Sequence, residues 1–331
     1  MKRRAVVLER FGPPGVMRLE EQELGEPGED EVLVAVEAIG VNFGDVMVRR
    51  GEYRRGQQLS FTPGFEAAGR VLAAGPGTAI APGTPVVAFT ENGGGYADHM
   101  LVPATQVYEA PADIAPIDLA GLFVQGVTAW YAVHRYGGVQ PGEWVLIHAA
   151  AGGVGGLALQ LTALAGARSI GTASTEAKLA VADRRGADET VLADPEVIRA
   201  EVREMTGGAG ANVVIDGVGG ALFAPSLDVL ARGGRYVVVG AASQEPANFD
   251  ARRLMPKTQT MSGFIVAGVA ALSPEEPKAA LWEICDLLRA GKLELELTLM
   301  PLEQVARAHE LMESRSRTGK IVLTTGVGDS P

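Results

Sequence analysis

Apolar residues follow three successive rhythms along the chain. From Lys2 to about Pro111 they come in short runs, Ala5-Val6-Val7-Leu8, Val32-Leu33-Val34-Ala35-Val36 and Val86-Val87-Ala88-Phe89. Such β-branched-rich runs predict strands. Gly12-Pro13-Pro14-Gly15, Gly75-Pro76-Gly77 and Ala81-Pro82-Gly83 punctuate them as turns, glycine supplying positive φ and proline a fixed one. In Val32–Val36 the alternation leaves both faces mostly apolar, so that strand is covered on each side. The segment predicts an all-β domain, a small barrel.

From about Leu122 to Gly240 strands and helices alternate. Trp144-Val145-Leu146-Ile147-His148 reads as a buried strand, and Gly152 to Gly166 carries Val154, Leu157, Leu161 and Leu164 at helical spacing. Arg168 to Ala173 is a second strand, and Thr175 to Arg185 a helix with Thr175 as N-cap and Glu176 in its first turn. Val213–Asp216 and Tyr236–Gly240 are further strands. Crossovers of this length imply a parallel, doubly wound sheet. The tail predicts helices over Pro274 to Ala290 and Pro301 to Glu313 and a closing strand at Ile321-Val322-Leu323. That last strand could rejoin the first domain and make the middle one an insertion.

Length and charge narrow the classes. At 331 residues the chain suits two domains. A 47% hydrophobic and 21% charged composition is that of a globular protein. The net charge of −11 opposes general nucleic-acid binding. Cys285 is the lone cysteine, which rules out an intramolecular disulfide framework and any zinc site needing two thiolates. It also suits a reducing, cytoplasmic setting. The opening Met1-Lys2-Arg3-Arg4-Ala5-Val6-Val7-Leu8-Glu9 meets an acid too soon for a secretory signal. No apolar run reaches the roughly 18 residues of a membrane span.

The chemistry concentrates at His148-Ala149-Ala150-Ala151-Gly152-Gly153-Val154-Gly155. It follows a strand and opens a helix, where a dinucleotide fold places its phosphate loop. Against G-x-G-x-x-G, Ala150 stands for the first glycine, Gly152 allows close approach of a pyrophosphate, and Gly155 allows tight packing of helix on strand. The residues Ala151 to Gly155 would meet the anion through a helix N-terminus. The alternative is an ordinary turn in a chain with 43 glycines. At the tip of the second strand no acid awaits a ribose 2′-hydroxyl. Ala173, the Ser174 hydroxyl and the Lys178 ammonium suit a 2′-phosphate instead. NADPH is therefore expected over NADH, unless Lys178 is only a solvated helix lysine.

Taken in order, Gly40-Val41-Asn42-Phe43-Gly44-Asp45, Pro63-Gly64-Phe65-Glu66-Ala67-Ala68-Gly69, Gly126-Val127-Thr128-Ala129, Ala149 to Gly155, Asp216-Gly217-Val218-Gly219-Gly220 and Gly319-Lys320-Ile321-Val322-Leu323 form a specific pattern. Along nearly its whole length the chain resembles the zinc-independent, zeta-crystallin-like quinone oxidoreductases of the medium-chain dehydrogenase/reductase superfamily. The resemblance implies an α/β protein with a GroES-like β-barrel catalytic domain over residues 1–124, completed by 264–331. It places a Rossmann domain over 125–263. Zinc relatives carry a cysteine and a His-Glu pair where this chain has Asn42, Asp45 and Phe65-Glu66. Without a Lewis acid an alkoxide is poorly stabilised, whereas hydride addition to a conjugated carbonyl spreads the charge into an enolate.

The resemblance also implies roles. Asn42, Asp45 and Tyr53 would line the substrate side, with Asn42 donating to an oxyanion and Tyr53 stacking or relaying a proton. Capping is the competing role for Asp45, and Tyr53 could be a plain loop aromatic. Met47, where some relatives have a second tyrosine, favours an apolar substrate. Thr128 and Gly240 would adjoin the nicotinamide, and Arg315 the adenosine phosphate, with Arg317 and Lys320 as competitors. Asp194 stands where relatives often have tyrosine and works against a 2′-phosphate. His148 reads as a core histidine; His99, His134 and His309 lack metal spacing. Arg49-Arg50 and Arg54-Arg55 form a basic patch that would admit an anionic substrate such as an acyl-CoA. Relatives dimerise by the strand near Gly263-Phe264-Ile265-Val266, so a homodimer is expected.

The resulting expectation is an NADPH-dependent, metal-free reductase of quinones or related α,β-unsaturated carbonyls. An enoyl or alkenal reductase, including a thioester-specific one, and an NADPH-binding protein without turnover stay open as alternatives.

Overall fold

A computed structural model describes residues 1–53 and 58–328. Arg54 and Arg55 of the proposed basic patch lie outside the described residues. The chain divides into two compact units. The first comprises Met1–Val124, Ser273–Cys285 and the chain from Leu295 on; the second comprises Gln125–Leu272 and Asp286–Glu294.

The first unit is built on a seven-stranded sheet. Its order is Leu297–Pro301, Lys320–Thr324, Glu31–Val41, Glu66–Ala74, Pro85–Phe89 and Val107–Glu109, with His99–Pro103 also paired to Glu31–Val41. The tail strand does rejoin this unit: Ile321 pairs with Val41 and Leu323 with Ile39, antiparallel. Val32, Val34 and Val36 are buried, as are Leu33 and Ala35 on the other face. Lys2–Leu8 and Met17–Glu23 form a two-stranded antiparallel sheet beside it. The helix Phe43–Arg50 starts directly after strand Glu31–Val41, and its C-cap is Gly51 at φ 77°, a left-handed value that glycine adopts without penalty.

The second unit holds a six-stranded sheet in the order Glu189–Leu192, Arg168–Ala173, Trp144–Ile147, Ala211–Asp216, Leu230–Val238, Thr260–Gly263. All five pairings are parallel. Taken in sequence, these strands lie in the doubly wound order 3-2-1-4-5-6, and its direction reverses between Trp144–Ile147 and Ala211–Asp216. Ligands of open α/β sheets bind in the crevice at the carboxyl ends of such a pair. Leu146, Ile170, Val214 and Tyr236 are fully buried in its core.

Residues 264–272 and 286–294 group with this sheet and not with the barrel, which differs from the sequence boundary at 264. The reason is packing. Phe264 stacks on Tyr136 with ring centroids 4.5 Å apart and lies edge-on to Tyr131. Gln160 exchanges two hydrogen bonds with the Glu294 backbone. The strand near Phe264 ends at Gly263, and a helix begins at Val266. No helix among the described residues is long and apolar enough to cross a membrane.

Candidate active site

The glycine turn sits at the point where the sheet order reverses. Strand Trp144–Ile147 feeds it, and the helix Gly153–Leu164 leaves it with Gly152 as N-cap. Ala149 takes φ 51°, and the Gly152 N–H donates to Ala149 O at 2.8 Å. Space is tight at two of the glycines, and at Gly155 it is backbone that fills it. A Cβ on Gly155 would overlap Ala149 O and lie 2.8 Å from Ala150 Cα; one on Gly153 would overlap the Gln125 amide. The N–H groups of Gly153, Val154 and Gly155 have no carbonyl a turn back to receive them. No side chain caps the helix, and no acid occupies its first turn. Such a helix start is open to an anion. Arg185, not singled out from the sequence, reaches the turn from the end of helix Glu176–Arg184: its Nη1 donates to Ala151 O at 3.1 Å and Gly152 O at 3.0 Å.

Gln125 and Thr128 are one helical turn apart on Pro116–Trp130, so they share a face. Gln125 packs on Gly153, and Thr128 is 7% exposed. Asp216 ends the adjacent strand, fully buried, and accepts from the N–H groups of Val218 and Gly219 at 2.7 and 2.9 Å and from Tyr236 Oη at 2.7 Å. It fixes the Gly217–Gly220 turn, and the Ala242 N–H then donates to Gly217 O, bringing Gly240 alongside. His148 is buried, bonded to Thr172 Oγ1 and Ser226 Oγ, and burial holds its pKa below the ordinary value. It is a core histidine.

At the tip of the next strand, Ala173 closes the strand and Ser174 is exposed. Thr175 caps the next helix, its Oγ1 accepting from Lys178 N. Asp194 is also exposed, but it serves as the N-cap of Pro195–Met205, with Oδ1 accepting from Glu196 N and Val197 N. An acid held at a helix N-terminus is partly offset by the helix dipole.

In the barrel unit, Asn42 and Asp45 are brought together at the start of helix Phe43–Arg50. Asp45 accepts from the N–H groups of Asn42 at 2.8 Å and Phe65 at 3.1 Å and is wholly buried. Burial pushes its carboxyl up to about 7, against the pull of the Asn42 N–H and of Lys320. The capping role is thus the one its geometry serves. Asn42 is anchored on both sides: Lys320 Nζ donates to its Oδ1 at 2.7 Å, and its Nδ2 donates to Glu66 Oε1 at 2.9 Å and Gly40 O at 3.3 Å. Lys320 and Glu66 form a buried ion pair, and Glu66 Oε2 accepts from Val124 N at 2.7 Å. Lys320 is therefore spent as a candidate for an adenosine phosphate. Arg317 is turned onto Met312 Sδ and Gly319 O, whereas Arg315 is exposed with φ 52°.

Tyr53 lies against Phe65 with centroids 5.0 Å apart, and Met47 is half-buried. A buried chain continues behind Asp45, with Tyr96 Oη 2.9 Å from His309 Nε2. Burial and the neighbouring Arg49 drive His309 down to about 3, so it is neutral. The basic-patch reading of Arg49 and Arg50 needs correction. Arg49 is 1% exposed, and both guanidiniums are bound to Glu313.

The donor set at the zinc position does not fit a metal. Glu66 is neutralised by Lys320 and Asp45 is committed to two backbone N–H groups. Among the described residues no three His, Cys, Asp or Glu side chains come together as ligands.

With this geometry in hand, the comparisons with known proteins are specific. Residues 28–112 match the alcohol dehydrogenase GroES-like domain model and residues 153–284 the zinc-binding dehydrogenase model. The chain is 31% identical to a quinone oxidoreductase-like protein 2 homolog of Nematostella vectensis, over 97% of this chain and 89% of that protein. It is 34% identical to a 2-haloacrylate reductase of Burkholderia sp, over 96% and 98% of the two chains. Among solved structures, Escherichia coli quinone oxidoreductase complexed with NADPH superposes with a TM-score of 0.91 at 31% identity, over 97% of this chain and 100% of that one. The chain belongs to the quinone oxidoreductase family of the medium-chain dehydrogenase/reductase superfamily, a family of enzymes.

Proposed function

We propose that this protein is an NADPH-dependent, metal-independent oxidoreductase that reduces quinones or related α,β-unsaturated carbonyls. The observation that carries the reading is the uncapped glycine turn at the reversal of the sheet, whose Gly155 leaves no room for a side chain. Ala151, Gly152, Gly153, Val154 and Gly155 would hold the pyrophosphate. Ser174 and Lys178 would hold the 2′-phosphate, Thr128 and Gly240 would border the nicotinamide, and Arg315 would meet the adenosine phosphate. Bound NADPH supplies the hydride.

The chain's own groups manage charge. Hydride addition to a conjugated carbonyl leaves an oxyanion that needs donors. Asn42 is held in one orientation by Lys320 and Glu66. Its long contact to Gly40 O is the one an oxyanion would replace. The Lys320 ammonium on Oδ1 polarises the amide and strengthens its N–H as a donor. Tyr53, braced by Phe65, supplies a hydroxyl for a second hydrogen bond or the closing proton. Asp45 orders the backbone at Asn42 and at Phe65. The similarity to 2-haloacrylate reductase supports activated alkenes as a second substrate class.

The net charge of −11 supports a small-molecule substrate over nucleic acid, and the buried lone Cys285 a cytoplasmic setting. Strand Thr260–Gly263, outermost in its sheet, supports a homodimer formed there. The test is a rate panel of a naphthoquinone, an alkenal, a haloacrylate and an enoyl-CoA, each with NADPH and NADH. The expected result is turnover of the quinone or an alkene with NADPH preferred. Absence of turnover on every acceptor contradicts the reading. Lys178→Ala should weaken NADPH binding and leave NADH unchanged.

A further inference from the structure

Arg185 lies eleven residues past Ser174, outside every motif described above, yet its guanidinium reaches the glycine turn. It does so through a gap. A Cβ on Gly156 would overlap Nη1 and lie 3.0 Å from both Cδ and Cζ of Arg185. Any side chain at 156 would meet Arg185 along the path it takes here. Gly156 is therefore a glycine for a different reason from Gly153 and Gly155, which make room for an amide and for backbone.

Of the two carbonyls that Arg185 holds, Gly152 O bears on an open donor of the turn, because the N–H opposed to Ala151 O, that of Gly152, is already given to Ala149 O. In a trans peptide the C=O and N–H vectors are opposed. Holding Gly152 O on Nη1 aims the Gly153 N–H to the opposite side, where an anion would sit. Gly152 O also accepts the first helical bond, from the Gly156 N–H at 3.0 Å. The same carbonyl thus locks the helix start and the guanidinium together. Electrostatics adds a second term. A guanidinium beside a helix N-terminus adds positive charge where the dipole is already positive, and an anion bound there draws on both.

We propose that Arg185, seated in the gap left by Gly156, is a positioning residue that sets the glycine turn for a dinucleotide pyrophosphate and adds charge in its favour. The proposal rests on the NADPH reading above. Its test is the NADPH dissociation constant, measured by titration at several salt concentrations, for the native protein and four variants. Arg185→Met should raise Kd about tenfold and flatten its salt dependence, and Arg185→Lys should recover part of the loss. Gly156→Ala keeps every charge and improves helix propensity, yet it should reproduce most of the loss by displacing Arg185. The double variant Gly156→Ala/Arg185→Met should bind no worse than Arg185→Met.

A native protein that does not bind NADPH defeats the cofactor reading. A native protein that binds, with Arg185→Met within twofold of it, overturns this proposal alone. So does a lowered melting temperature in Arg185→Met with Kd and salt slope unmoved, since that is the mark of a purely structural arginine.

Discussion

Lys320→Met isolates the charge balance under Asn42. In the native barrel unit Lys320 is 2% exposed and Glu66 fully buried. The substitution keeps the apolar stem and deletes the ammonium, leaving Glu66 buried with only Val124 N and Asn42 Nδ2 as donors. Breaking a buried ion pair costs about 3–5 kcal/mol. Those two remaining hydrogen bonds place this case near the lower end, about 3 kcal/mol. For a unit of this size that corresponds to a fall of roughly 6–12 °C in melting temperature. Asn42 also loses its Oδ1 partner, so kcat/KM should fall with the stability. Circular dichroism melts and urea titrations measure the first effect, and steady-state rates the second. The double variant Lys320→Met/Glu66→Gln removes the stranded charge and should recover most of the lost stability. A cost below about 1 kcal/mol for Lys320→Met, or a double variant no more stable than the single one, would mean that Lys320 does not balance a buried Glu66 charge.

Other outcomes follow from the same geometry. Asp45, raised to about 7 by burial, is protonated in both folded and unfolded chains below about pH 4. Its contribution to stability is present there and is lost as pH rises through about 7, because only the fold resists ionisation. Asp45→Asn should flatten the pH dependence of stability between those limits; an unchanged slope counts against the burial argument. Gly155→Val would drive a side chain into Ala149 O and Ala150 Cα, and more than a tenfold loss of NADPH affinity is expected by titration. Native-like binding there would mean the turn does not cradle the nucleotide. Tyr53→Phe should lower kcat by about 10²-fold or more if its hydroxyl passes the proton. Full kcat would rule out that transfer.

The glycine turn was legible because its requirements are local: a strand, a close approach and a helix start are written in consecutive residues. The same holds for Thr175 as a cap and for His148 as a core residue, which Thr172 and Ser226 satisfy. What escaped the sequence is long-range pairing of charge. Lys320 and Glu66 are 254 residues apart and Arg49 and Glu313 are 264 apart; nothing in composition distinguishes a buried arginine from a solvated one. Asp45 read as a substrate residue and a cap with equal justice, and only its burial separates the two. Strand Met17–Glu23 was missed because four of its seven residues are charged and it faces water. Strand Leu297–Pro301 was missed as a mostly exposed edge. Gly156 carried the one available signal for Arg185, a glycine inside a helix with no turn to justify it.

The proposed activity moves hydride from NADPH to a conjugated acceptor with hydrogen bonds in place of a metal. The most direct measurement is quinone or enone reduction by NADPH after exhaustive chelation, with residual metal quantified. Undiminished turnover at substoichiometric metal is the predicted result. Activity that vanishes on chelation and returns with one equivalent of zinc would contradict it.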